Sequence, residues 1–93
     1  MSKVIVSGQI YVPLASLEQL RPAIATHVDL SRAEAGCLVF NLEENLEEPG
    51  RFDLYEEFVD SEAFEVHKRR TADSQWATLG QDVQKDFEIR EVS

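Results

Sequence analysis

The sequence predicts an α+β domain of the ferredoxin-like type, a four-stranded antiparallel sheet in the order β-α-β-β-α-β with helices on one face. Three observations predict it. Residues 4–12, 37–43 and 52–59 alternate apolar and polar side chains, the period of a half-buried strand. Residues 17–28 and 61–70 instead carry apolar residues at helical spacing. The two middle strands are separated only by an Asn, Pro and Gly-bearing segment, short enough for an antiparallel connection.

Each element has its own signal. In the first strand Val4, Val6, Gly8, Ile10 and Val12 share one face and Ile5, Ser7, Gln9 and Tyr11 the other, and Pro13 ends it. Ser16-Leu17-Glu18-Gln19 has the form of a capping box, followed by an apolar stripe of Leu17, Leu20, Ile24 and Val28. Pro22, inside this helix, is expected to remove one backbone bond and kink it. Gly36 is expected to close the helix as a left-handed cap. Cys37 to Glu43 forms the second strand and Phe52 to Val59 the third, with Phe52, Leu54, Glu56 and Phe58 on one face. Asp60 or Ser61 caps the next helix, which runs to about Arg70. A short helix from Asp73 to Val83 follows, with Trp76, Leu79 and Val83 on one stripe, and Phe87, Ile89 and Glu91 alternate in a last strand.

The sheet face away from the helices would then carry Ile5, Tyr11, Cys37, Val39, Tyr55 and Val59, an apolar set that a second copy could cover. A homodimer through the sheet is therefore expected. The 93 residues suffice for one domain and one core, spanning 1–93.

Composition narrows the function. The net charge of −9 argues against nucleic acid, whose phosphates need Lys and Arg, and against an anionic membrane surface. No apolar run approaches the roughly 20 residues of a membrane span. The N-terminus lacks a basic and then apolar segment, so no secretory signal is expected. One cysteine cannot form an internal disulfide, which suits a reducing, cytoplasmic location. Neither metal-ligand spacing nor a nucleotide-binding glycine motif is found, and no flavin or haem attachment motif.

Few residues remain to carry chemistry. His67 follows Phe64 by three positions, which turns it toward the sheet; it could shuttle protons or be a buried neutral imidazole. Glu56, on an apolar strand face, must be paired, bonded or protonated, and could orient His67. Trp76 could wall a pocket for an aromatic ligand or simply fill the core. Phe40, Phe58 and Phe64 share the same side and are candidate ligand contacts. Cys37, mid-strand, is a poor nucleophile, Asn41 and Tyr55 lie on the opposite face, and His27 reads as a boundary or surface residue.

The run Ser31-Arg32-Ala33-Glu34-Ala35-Gly36-Cys37-Leu38, the turn Glu47-Glu48-Pro49, the strand end Glu56-Glu57-Phe58 and His67 occur in the order found in antibiotic-biosynthesis monooxygenase (ABM) domains, which this chain resembles. The resemblance implies a ferredoxin-like fold that dimerises into an α+β barrel. It also implies oxidation of small aromatic substrates (quinols, phenols or anthrones) with O2 and no metal or flavin. A binding dimer without turnover, or a non-oxidative isomerase or cyclase, are the alternatives on the same fold. By position, His67 matches the family's cavity-lining helix residue, Trp76 lies in the following helix, and Glu56 matches the acidic residue ending the third strand. Gly8 stands where some haem-degrading relatives have asparagine, which argues against haem degradation.

Overall fold

The computed structural model describes residues 2–93. The elements run β1 (Lys3–Tyr11), a 3-10 turn (Leu14–Ser16), α1 (Leu17–Arg32), β2 (Cys37–Glu44), β3 (Arg51–Phe58), α2 (Ser61–Ala72), α3 (Gln75–Leu79) and β4 (Gln84–Val92). The sheet order is β2-β3-β1-β4 with every pairing antiparallel, the expected ferredoxin-like arrangement.

Register decides which side chains meet the helices. Val6 pairs with Glu56 and Ile89, and Phe40 pairs with Glu56, so these residues share the helix-facing side. On that side Val4, Val6, Ile10, Phe40, Leu42, Phe52, Leu54 and Phe58 join Leu20 and Ile24 of α1 in one core. Gly8, at φ +150°, lies where β4 comes close: a Cβ there would stand 2.3 Å from the Asp86 carbonyl oxygen.

Several local expectations are corrected. Ser16 makes no capping bond, because its backbone is already helical after the 3-10 turn. The helix assignment continues through Pro22, which faces solvent and, having no N–H, withholds one backbone bond. Gly36 has no positive φ; its role is steric, since a Cβ there would lie 2.3 Å from the Ala63 Cβ on α2. Asp60 is the cap of α2, accepting from the Ala63 amide at 2.8 Å. The helix placed over Asp73 to Val83 shrinks to five residues, capped by Ser74 and followed by turn residues from Gly80.

The far face of the sheet also differs. A bulge between Cys37 and Val39 places Cys37 opposite Phe58 and against the core, while Val39 stands opposite Glu57. Val59 lies beyond the end of β3, beside Gly36. Ile5, Tyr11 and Val39 remain on the far face, half-buried, among Ser7, Gln9, Asn41 and Glu57. Tyr55 donates to Glu57 at 2.5 Å and Lys3 donates to the same carboxylate at 3.0 Å, so this face is mixed rather than apolar.

Candidate functional site

A cavity of about 430 Å³ opens between the helices and the sheet. Its apolar wall comes from the inward residues of the strands, among them Val6, Phe40 and Leu54. Trp76 closes one side, placed there by the short α3. Three of its polar lining residues are buried: Glu56 from β3, His67 from α2 and His27 from α1. Each is at most 6% exposed, so their chemistry is set by desolvation and by one another.

Of the residues singled out in the sequence, His67, Glu56, Trp76, Phe40 and Phe64 line this cavity. Phe58 does not. It is fully buried behind the site, its ring 4.9 Å from that of His67 and 5.3 Å from that of Phe64. It backs the histidine and cannot meet a ligand.

His67 is held from a direction its own element could not announce. Its Nδ1 lies 3.0 Å from Oε1 of Glu34, in the connection between α1 and β2. The other Glu34 oxygen accepts from Nε of Arg70, one turn along α2 from His67. A carboxylate paired with a guanidinium offers only acceptors, so the imidazole proton sits on Nδ1. Nε2 is left with its lone pair toward the cavity, 3.8 Å from Glu56 and 3.4 Å from the Thr71 hydroxyl. Burial pushes the His67 pKa below its ordinary value against the upward pull of Glu34, so the resting imidazole is neutral.

Glu56 is not the orienting partner expected from strand parity. At 3.8 Å it is beyond hydrogen-bond distance of His67. Burial, and then the Glu34 carboxylate, push its pKa up to about 8. At neutral pH it is a carboxylic acid, able to donate a proton or a hydrogen bond.

His27 was expected at the boundary but is 5% exposed. It follows Ala23 by four positions, Ile24 by three and Leu20 by seven, so the buried stripe of α1 is 20, 24, 27 and 31 rather than one ending on Val28. That spacing was readable. Burial, then the neighbouring His67 and Arg70, lower its pKa to about 4. Ser31 on the same stripe donates to the His27 carbonyl at 2.7 Å and accepts from Arg70 at 2.8 Å, tying α1 to α2 beneath the site. Glu34 and Arg70 were missed because no periodicity marks a contact made across a loop.

Among the described residues no three His, Cys, Asp or Glu side chains converge as a metal site. Cys37 is a free thiol whose pKa burial raises, which opposes thiolate chemistry. Among the described residues no helix is long and apolar enough to cross a membrane.

Comparison with known proteins agrees with this architecture. Solved structures similar to the chain include a Deinococcus radiodurans protein provisionally assigned as an antibiotic biosynthesis monooxygenase, 24% identical, covering 97% of this chain and 90% of that one with a TM-score of 0.77. A Bacteroides thetaiotaomicron protein with the same provisional assignment is 20% identical over 99% and 88% of the two chains, TM-score 0.79. A conserved Methanosarcina mazei protein is 20% identical over 98% and 91%, TM-score 0.77. At such identities the likeness establishes the fold. A comparison with curated proteins gave no match. The sequence profile of the antibiotic biosynthesis monooxygenase family matches residues 3–78, most of the chain. With that match over β1 to α3, the chain belongs to the antibiotic biosynthesis monooxygenase family.

Proposed function

We propose that this protein is a cofactor-independent monooxygenase that oxidises a small hydroxylated aromatic substrate, of the quinol, phenol or anthrone type, with O2. The observation that carries the reading is Nε2 of His67, whose lone pair meets only the long contact from the Thr71 hydroxyl in an aromatic-walled cavity while Glu34 holds Nδ1. A substrate ring lies against Trp76 and gives its hydroxyl proton to Nε2. The imidazolium that forms is stabilised by Glu34, already in contact. The resulting anion passes one electron to O2, and the radical pair recombines at a ring carbon to form a peroxide. The His67 imidazolium returns its proton to the peroxide; the remaining hydrogen on that carbon then passes as a proton to Nε2 and the O–O bond breaks. One oxygen stays as a carbonyl and the other leaves as water, Glu56 supplying a proton to it. A CH2 carbon oxidised in this way provides all four electrons, so the chemistry balances with no further reductant. The protein contributes orientation, a base and exclusion of water.

The working unit in this proposal is a homodimer joined through the sheet, located in the cytoplasm. Ile5, Tyr11 and Val39 lie half-buried on the face that no helix covers, and the edge strand β4 is exposed along its whole length, which favours a covering copy.

The test is oxygen-electrode uptake by metal-stripped protein offered quinols, anthrones and catechols. Uptake above autoxidation, lost in His67→Ala, is the expected result. No uptake across the panel refutes the oxygenase reading and leaves a binding module or a non-oxidative enzyme.

A further inference from the structure

His27 is the buried polar group that the proton transfer above leaves unused. Its ring lies 5.6 Å from that of His67 and 6.1 Å from that of Trp76, centre to centre, and it lines the same cavity. Among the described residues no group bonds the imidazole: Nδ1 is buried without a partner, which leaves Nε2 as the nitrogen that can reach the cavity. A proton on Nδ1 would be a buried N–H with no acceptor, rarer and costlier than a bare lone pair. The proton therefore resides on Nε2. The two histidines then present opposite faces: His67 offers a lone pair and His27 offers an N–H. Phe40 packs edge-on against His27 at 5.4 Å and fixes the ring plane.

We infer that His27 is a second ligand-contacting residue of this site, donating its Nε2–H to an accepting oxygen on the aromatic ligand other than the hydroxyl that meets His67. The inference rests on the reading that the ligand is a hydroxylated aromatic. It adds that the ligand carries a second oxygen, and that a carbonyl is the group that suits the donor. On deprotonation of the hydroxyl, negative charge delocalised onto that carbonyl is met by a neutral donor that needs no reorganisation.

The test uses two redox-inert probes on one skeleton, so it is independent of whether O2 is consumed. 5-Hydroxy-1-tetralone has a phenol and a carbonyl; 5,6,7,8-tetrahydro-1-naphthol has the phenol alone. Isothermal titration calorimetry on the full chain gives the ratio of their Kd values. The expected result is that wild type prefers the tetralone about tenfold, the effect of one buried hydrogen bond. His27→Phe is expected to bring the ratio near one, and His27→Gln, which keeps an N–H at similar reach, to restore most of it. His27→Met is a second donor-less variant should the phenylalanine form fail to fold. A wild-type ratio near one, a ratio unchanged in the donor-less variants, or failure of wild type to bind either probe overturns the inference. Failed oxygen uptake with a preserved ratio would overturn the oxygenase reading alone.

Discussion

Replacing Glu56 by Gln should stabilise the protein at neutral pH and remove one limb of its stability profile. The Glu56 carboxyl titrates near 8 in the folded chain, against an ordinary value of 4.5. The folded state therefore holds the proton more tightly than the unfolded state, and the stability this confers is present in full below pH 4.5 and lost as pH rises toward 8. Below pH 6.5 the loss is masked. His27 titrates near 4 in the fold, and the His67 pKa is also lowered, so protonation of both in the unfolded chain makes stability rise with pH there. Between pH 6.5 and 8 the histidines finish losing their protons in the unfolded chain, alike in wild type and in Glu56→Gln, so the difference between the two proteins reports Glu56. Over those 1.5 pH units, at 1.36 kcal/mol each and with the curve flattening near pH 8, wild type should lose about 1.5–2 kcal/mol relative to Glu56→Gln. Urea midpoints at fixed protein concentration, measured every half pH unit from 6.5 to 8, read this directly. Glu56→Gln should lie above wild type, and the gap should widen by that amount from pH 6.5 to 8. Parallel curves for the two proteins would refute the picture of Glu56 as a buried neutral acid.

Glu34→Gln should lower kcat by roughly 10- to 100-fold with little change in KM, because it leaves the cavity lining intact but removes the charge that stabilises the His67 imidazolium. Steady-state kinetics on the best substrate of the oxygen panel checks this; an unchanged kcat would separate Glu34 from proton transfer. Gly36→Ala should destabilise by about 1–3 kcal/mol, since its Cβ would sit 2.3 Å from that of Ala63, and a lowered thermal midpoint is the readout. Trp76→Ala should weaken aromatic ligand binding at least tenfold and cost about 3–5 kcal/mol of stability, measured by calorimetry and urea unfolding.

The layout of strands and helices was legible because most of it rests on parity and helical phase, which single residues report. Val4, Val6 and Ile10 alternate inward as read, and His67 falls below Phe64 on the buried side of α2. Parity fails where the chain departs from regular geometry. The bulge at Leu38 turned Cys37 to the core against its expected face. The helix phase of His27 was present in the sequence and was obscured by choosing Val28 as the end of the stripe, an apolar residue one position away. The Glu34–His67 contact spans 33 positions and joins a loop to a helix, so neither period encodes it. Phe58 shows a further limit: parity gives the side of the sheet, but not whether a side chain stops at the wall or behind it.

The connection between α1 and β2 has a role that outlasts any one substrate. His67 and Arg70 belong to a regular helix, whereas the carboxylate that joins them hangs from residues 33–36. In the proposed reaction the cavity wall and the carboxylate that orients the base thus belong to different parts of the chain. A relative that lengthened this short loop by a single residue would keep the cavity and its affinity while losing the oriented base. Catalysts and silent binders on this fold could diverge by an insertion that touches no pocket residue, and the length of this segment is where an evolutionary change of role would leave its mark.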